Sequence, residues 1–197
     1  MQTSFDFNEY EIIEYKDIVT FENLLTNHGG YLKERKEQHL RFFNEYFKEI
    51  ELKNILVEKN YIDKDYLEDY SAYFVRCFVE YPKNCVRLHF FNFVFNEGEI
   101  IKLILDGKNV EKYTDGYLGF MVIKPIPNKI IGKTCLATYR NIGKNIKSRY
   151  YPATRDYKIH LFGIQFDIKT LAYQEQDSIL GACATTALWS AFQATSH

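Results

Sequence analysis

The sequence contains no run of about 18 consecutive apolar residues, which excludes a membrane-spanning helix. Its first residues, Met1 to Phe7, lack the basic stretch and apolar core of a secretion signal, so we expect a cytoplasmic protein. Neither sign of charge is in excess, since 25 Lys and Arg stand against 26 Asp and Glu. The net charge of −1 argues against a protein that binds nucleic acid through bulk positive charge.

Cysteine is scarce and dispersed, with only Cys77, Cys85, Cys135 and Cys183, and no CxxC pair. Without a secretion signal, this spacing predicts free thiols rather than a disulfide framework. Zinc sites need closely spaced ligand pairs. Cys85 and His89 are four residues apart, but in a predicted strand they are separated by about 13 Å. We therefore predict no metal site and no cofactor.

Aromatic residues are abundant, with 16 Tyr and 16 Phe in 197 residues. A chain of this length buries roughly 70% of its extended surface. Because aromatic side chains bury large areas and favour strands, they indicate a core that contains a β-sheet and many rings. The alternative is an aromatic platform for a ligand.

The hydrophobic periodicity predicts an α+β protein with three parts: a helical N-terminal region over 1–73, a β-rich region over 74–170 with a mostly antiparallel sheet, and a nucleophile loop and helix over 171–197. Helical patterns cover 31–50 and 51–73, with Asp63 as an N-cap, after a short strand over 10–15. The predicted strands of the middle region cover 74–80, 86–95, 117–124, 134–140 and 158–168.

The run KIHLFGIQFDI, over 158–168, is interpreted as one strand. Its two-residue period puts the following side chains on one face: His160, Phe162, Ile164, Phe166 and Ile168. His160 would then begin an apolar stripe.

The segment YQEQDSILGACATTALWSAFQA, over 173–194, is the part of the sequence that indicates chemistry. Its second half predicts a helix that begins near Cys183 and is buried along a face of small apolar residues. The positive end of the helix dipole and the free backbone N–H groups favour a thiolate there, which is a nucleophile at neutral pH. The same N–H groups, together with the side chain of Gln176, would hold a developing oxyanion.

The order of residues in this segment resembles the nucleophile segment of papain-like cysteine peptidases, over about 20 residues: Gln176-Asp177, a short loop to Gly181-Ala182, then Cys183 and a helix with Leu188-Trp189. It is most similar to the bacterial branch that includes bacteriocin-processing peptidases. The resemblance implies Cys183 as nucleophile and Gln176 as oxyanion donor, with Gln174 as a weaker candidate for that role. It implies a cysteine peptidase, or a related thiol acyl-transfer enzyme, that acts on a peptide or protein substrate.

The general base is the point of departure from this family, in which a His and an Asn or Asp follow the cysteine by many tens of residues. Here 14 residues follow Cys183, and a continuous helix would put the last one, His197, about 21 Å away. Three explanations stay open: the chain is the N-terminal part of a longer enzyme, the base lies upstream at His160 or else at His89, or the domain is a non-catalytic relative.

Two other functions remain as alternatives. In the first, the chain is a non-catalytic protein-interaction domain in which Cys183 is a core residue. In the second, the basic residues and tyrosines of 140–157 bind single-stranded nucleic acid.

Overall fold

The computed structural model describes residues 7–29, 37–126, 129–139, 150–175 and 183–195, and it confirms the α+β class. The strands are β1 (Tyr10–Glu14), β2 (Asn54–Tyr61), β3 (Cys85–Phe91), β4 (Tyr117–Ile123), β5 (Ile131–Leu136), β6 (Arg155–Leu161) and β7 (Ile164–Thr170). The helices are α1 (Ile18–Gly29), α2 (Glu37–Glu49), α3 (Lys64–Ala72), α4 (Glu97–Asp106), α5 (Val110–Asp115) and α6 (Cys183–Thr195). Each of these helices is too short or too polar to cross a lipid bilayer.

Strands β1 to β5 form one antiparallel sheet in the order of the chain. Two of these strands, β1 and β2, belong to the N-terminal region, so the sheet crosses the predicted boundary at residue 73. The prediction of helical structure over 51–73, in two short pieces, is therefore wrong for β2. Ile55, Leu56 and Val57 are all buried because both faces of the strand are covered, and such a strand lacks the alternation that reveals most strands.

The sheet is covered on both faces, which creates two hydrophobic cores. Helices α1 and α2 cover one face, where Phe21, Phe43 and Phe47 pack on strand residues such as Phe90. The other face is covered by α3, α4, α5 and the hairpin of β6 and β7, and its core holds the following rings: Tyr66, Phe74, Phe91, Phe95, Tyr113, Tyr117, Phe120, Tyr157 and Phe166. Aromatic rings thus fill both cores.

The run 158–168 forms two strands, not the single strand predicted. Phe162 and Gly163, with φ of 54° and 77°, form a two-residue turn that joins β6 to β7. The buried positions are Tyr157, Ile159 and Leu161 before the turn, and Phe166, Ile168 and Thr170 after it. The turn therefore changes the parity of the buried face, and His160 is exposed rather than part of an apolar stripe.

Residues 74–80 are also not the strand that was predicted. They begin with a short 3₁₀ turn over Phe74–Arg76 and continue as bends. Only Phe74 is buried in this segment, whereas Val75, Phe78 and Val79 are exposed. The β-forming composition was misleading here because no neighbouring strand pairs with it among the described residues.

The N-cap predicted for α3 is confirmed. Asp63 precedes the helix with extended backbone, and its carboxylate accepts a hydrogen bond from the backbone N–H of Tyr66 at 2.9 Å. The cap orients Tyr66, whose ring is buried in the core beneath the helix.

Helix α6 is described from Cys183 to Thr195, and its described side chains, at residues 187–193, are not buried, whereas a buried helix was predicted. Leu188 is 54% exposed and Phe192 is 64% exposed. Trp189 packs against the core on the hairpin side, and Arg155 donates a hydrogen bond to the carbonyl of Gln193 at 3.2 Å. Among the described residues of α6, Trp189 and Gln193 thus contact the body of the protein on the side of the hairpin.

Gly119 of β4 tests how closely the strands pack. Its φ is +114°, and a Cβ atom there would collide with the backbone carbonyl of Cys135. We expect Gly119→Ala to lower the free energy of unfolding by about 3 kcal/mol or more in urea denaturation. Gly107 also has positive φ but has no atom within 4 Å of such a Cβ, so Gly107→Ala should cost only about 1 kcal/mol. Equal losses would contradict this account.

Candidate functional site

The predicted nucleophile is the first described residue of α6, which extends without interruption to Thr195. A helix that starts at Cys183, as the sequence predicts, leaves its first backbone N–H groups there without a partner within the helix. The helix is continuous over the residues from Cys183 to Thr195, which is the condition under which the sequence excluded His197 as a base. Gln176 and His197 lie outside the described residues, so the predicted oxyanion donor stays a prediction.

The segment that precedes Gln176 is attached to the edge of the five-stranded sheet. Tyr173 and Thr134 exchange backbone hydrogen bonds of 3.0 and 2.8 Å, and the N–H of Glu175 donates to the carbonyl of Ile131 at 2.9 Å. Residues 173–175 thus extend the sheet beside β5. The rigid scaffold holds the backbone up to the residue before Gln176.

His160, the predicted upstream base, lies on the outer face of β6 with its side chain exposed. Its backbone carbonyl accepts a hydrogen bond from the Arg87 guanidinium at 3.2 Å, which ties this strand to the sheet. The imidazole is open to solvent. Its role as a base stays a prediction.

His89, the second histidine considered, is completely buried between the sheet and the hairpin. Its Nδ1 lies 2.9 Å from the Tyr117 hydroxyl, and its Nε2 lies 3.3 Å from Oε2 of Glu58. The same carboxylate oxygen accepts a hydrogen bond from Nε of Arg87 at 2.7 Å. Both ring nitrogens of His89 are engaged, so the imidazole has no free position for a proton from a thiol.

Burial sets the protonation of this network. It lowers the pKa of His89 to about 4, although the hydrogen bond to Glu58 acts in the opposite direction. Burial also tends to raise the pKa of Glu58, but the hydrogen bond from His89 and the charge of Arg87 outweigh it, and the net shift is downward. At neutral pH, His89 is therefore neutral and Glu58 is charged.

Sequence reasoning missed Glu58 and Arg87 as members of this network. Arg87 and His89 are two residues apart in an apolar strand, so both point to the same face. That pair of polar residues in a buried strand is the signal that predicts a polar partner on a neighbouring strand. Which residue is that partner depends on the register of β2 and β3, which puts Glu58 opposite Arg87.

A cavity of about 420 Å³ lies beside residues 173–175 and is bounded on the other side by α2. Gln174, the weaker candidate for the oxyanion donor, lines it. The cavity belongs to the face of the sheet that α1 and α2 cover, because Phe43 is part of both. Trp189 of α6 packs against the core on the opposite face.

The other cysteines do not have the environment of a nucleophile. Cys85 and Cys135 are buried, and burial raises the pKa of both thiols to about 12. Cys77 is half-buried in the turn after α3, where its sulfur lies 3.8 Å from the carbonyl oxygen of Tyr73. These three thiols serve as internal references for the reactivity of Cys183.

Within the described ranges, no group of three or more His, Cys, Asp or Glu side chains is arranged to hold a metal ion. Most of the basic segment proposed for nucleic acid, residues 140–149, lies outside those ranges. Of its remainder, Arg155 makes internal contacts: its guanidinium lies 5.4 Å from the centroid of the Tyr157 ring and hydrogen bonds to α6.

No protein-family model matches the chain, and no similar curated protein or solved structure is found.

The buried network predicts that stability falls on acidification. Between pH 4 and 6.5 an unfolded chain protonates His89 while the folded chain does not, so the free energy of unfolding decreases as pH falls, on the order of 1 kcal/mol per pH unit. Below that window the lowered pKa of Glu58 acts in the same direction. Urea denaturation at several pH values should show a smaller slope for His89→Gln.

His160→Gln provides the control, because it removes an imidazole on the exposed face of β6 and leaves the side chains of the buried network in place. A slope that is unchanged in His89→Gln would show that other groups cause the pH dependence.

Proposed function

We propose that this chain carries the nucleophile segment of a papain-like cysteine peptidase or a related thiol acyl-transfer enzyme. The proposal is supported by the order of residues from Gln176-Asp177 to Gly181-Ala182-Cys183 and by the helix in which Cys183 is the first described residue. A thiol in the first turn of a helix experiences the positive end of the dipole and lies beside unpaired N–H groups. Both features lower the pKa of a cysteine and favour the thiolate.

In the proposed reaction, the Cys183 thiolate attacks the carbonyl carbon of a peptide or amide bond and forms a C–S bond. The backbone N–H of Cys183 and the side-chain amide of Gln176 stabilise the tetrahedral oxyanion. A histidine protonates the leaving amine as the C–N bond breaks. Water then hydrolyses the thioester, which releases the acid and restores the thiol.

The proposed histidine is His160 or a residue outside this chain. His160 has an open imidazole, whereas His89 has both ring nitrogens engaged in the buried network. Exposure permits proton exchange with solvent, which a general acid needs between turnovers.

A non-catalytic protein-interaction domain is the second candidate, and one observation favours it. Leu188 and Phe192 are four residues apart on α6 and are both exposed, so the helix presents an apolar stripe. In this alternative Cys183 has a structural role and ordinary reactivity.

The rate of thiol alkylation separates the two candidates. We expect Cys183 to react with iodoacetamide at pH 7 at least about tenfold faster than Cys77, because only its thiolate is stabilised by a helix N-terminus. Cys85 and Cys135 should react only on unfolding, since both are buried. Mass spectrometry of the labelled peptides gives all four rates in one sample. A rate for Cys183 at or below that of Cys77 would favour the interaction domain.

Acyl transfer from p-nitrophenyl acetate tests the oxyanion donor without knowledge of the natural substrate. We expect Cys183→Ala to abolish rapid p-nitrophenol release and Gln176→Ala to slow it about 100-fold. Gln176→Ala should leave iodoacetamide labelling unchanged, because alkylation develops no oxyanion.

Gln174→Ala is the matched control, since it removes the same amide two residues away. Wild-type rates for Gln176→Ala together with a loss in Gln174→Ala would transfer the role to Gln174. Wild-type rates in both variants would exclude a side-chain oxyanion donor from this segment.

A further inference from the structure

The cavity beside residues 173–175 has apolar walls. Phe43 and Ile131 are buried beneath it, while the ring of Phe42 is 45% exposed. Phe42 stacks on Tyr46 with ring centroids 5.6 Å apart, which holds it in place. The volume of the cavity, about 420 Å³, is in the range that small-molecule sites occupy, and aromatic walls are typical of such sites.

A buried carboxylate with two basic neighbours forms the polar side of the cavity. The side chain of Glu175 is only 7% exposed. Its Oε2 accepts a hydrogen bond from the N–H of Ile131 at 3.3 Å. Its Oε1 lies 3.6 Å from Nζ of Lys129 and 3.8 Å from Nδ1 of His39, and both of these residues also line the cavity.

Two side chains that line this cavity, Lys129 and His39, carry hydrogen-bond donors for which no hydrogen bond is found among the described residues. Lys129 and His39 approach Glu175 as charged or polar neighbours, but at distances beyond a hydrogen bond. An ammonium group has three N–H donors, and Lys129 has no hydrogen bond within the described part of the chain.

Tyr173 adds a further donor to the wall. Its hydroxyl is buried and has no hydrogen-bond partner among the described residues. Burial raises the pKa of Tyr173 well above its ordinary value, so the hydroxyl keeps its proton. A buried hydroxyl without a partner is costly, which makes a bound acceptor favourable.

From these observations we propose that the cavity binds a carboxylate attached to an apolar side chain. The carboxylate would accept hydrogen bonds from Lys129, His39 and the Tyr173 hydroxyl, and the apolar group would contact Phe42, Phe43 and Ile131. A cationic ligand is disfavoured because Lys129 lies beside Glu175, which supplies the only carboxylate among the described residues that line the cavity. A free N-acyl amino acid and the C-terminus of a peptide both carry this chemistry.

The first experiment changes the ligand and uses the whole chain. We expect isothermal titration calorimetry to show saturable binding of N-acetyl-phenylalanine and about tenfold weaker binding of N-acetyl-phenylalaninamide, which lacks the carboxylate charge. N-acetylglycine, which lacks the ring, should also bind more weakly. Equal affinity for acid and amide, or no saturable binding of the acid up to about 10 mM, would overturn the proposal.

The second experiment changes the protein. Lys129→Gln should weaken N-acetyl-phenylalanine about tenfold. The matched control is Lys133→Gln, which removes a lysine charge from β5, two residues after Ile131. The side chain of Lys133 lies on the opposite face of the sheet, where it forms an ion pair with Asp65 at 3.6 Å. This variant should bind the acid as the wild type does. Equal losses in both variants would indicate a general charge effect and contradict the site.

Tyr173→Phe gives a readout that a structural role would not produce. Removal of a buried hydroxyl without a partner should leave the free energy of unfolding unchanged or raise it, yet binding of the acid should weaken. Loss of stability with unchanged binding would contradict the assignment of the hydroxyl to the ligand.

A hexapeptide that ends in phenylalanine identifies the source of the carboxylate. Affinity at least about tenfold above that of N-acetyl-phenylalanine assigns the site to peptide C-termini, and equal affinity assigns it to small acids. These measurements involve no thiol chemistry, so Cys183→Ala should leave them unchanged. The proposal therefore stands or falls independently of the peptidase.

Discussion

Burial of both faces of the central sheet is the constraint on which the other features depend. All seven residues of β4 are buried, and its neighbour β3 has only one residue that is not. A sheet of this kind needs a covering layer on each side, which α1 and α2 supply on one face and the hairpin with α3 to α5 on the other. Any polar group on an inner strand must then find its partner within the protein.

The network of Glu58, Arg87 and His89 is the clearest consequence. Arg87 bonds to the carboxylate of Glu58, contacts the ring of Tyr61 at 4.0 Å and donates to the backbone of the hairpin at His160. It thereby links the middle of the sheet to its covering layer. Such buried charges contribute less to net stability than to a unique arrangement, because removal of one partner leaves the other unsatisfied. We interpret this network as structural, although its residue types are those of catalytic sites.

The cavity and the described contacts of helix α6 lie on opposite sides of the sheet. Helix α6 contacts the hairpin side through Trp189, while the cavity lies on the side of α1 and α2. Residues 173–175 line the cavity and are hydrogen bonded to the edge of β5. Two apolar side chains of α6, Leu188 and Phe192, are exposed.

Local signals determined the features that depend on neighbouring residues: the α+β class, the cap at Asp63, the strand at 117–123 and the helix that contains Cys183. Helix periodicity and capping act within one or two turns, so the sequence alone contains them. Only the tertiary structure decided that β2 is a strand, that His160 faces solvent and that α6 is exposed. Each of these depends on what covers a surface, and that is set by strand register and by layers distant in sequence. The Glu58 network and the cavity are of the same kind, since strand pairing and packing bring their residues together.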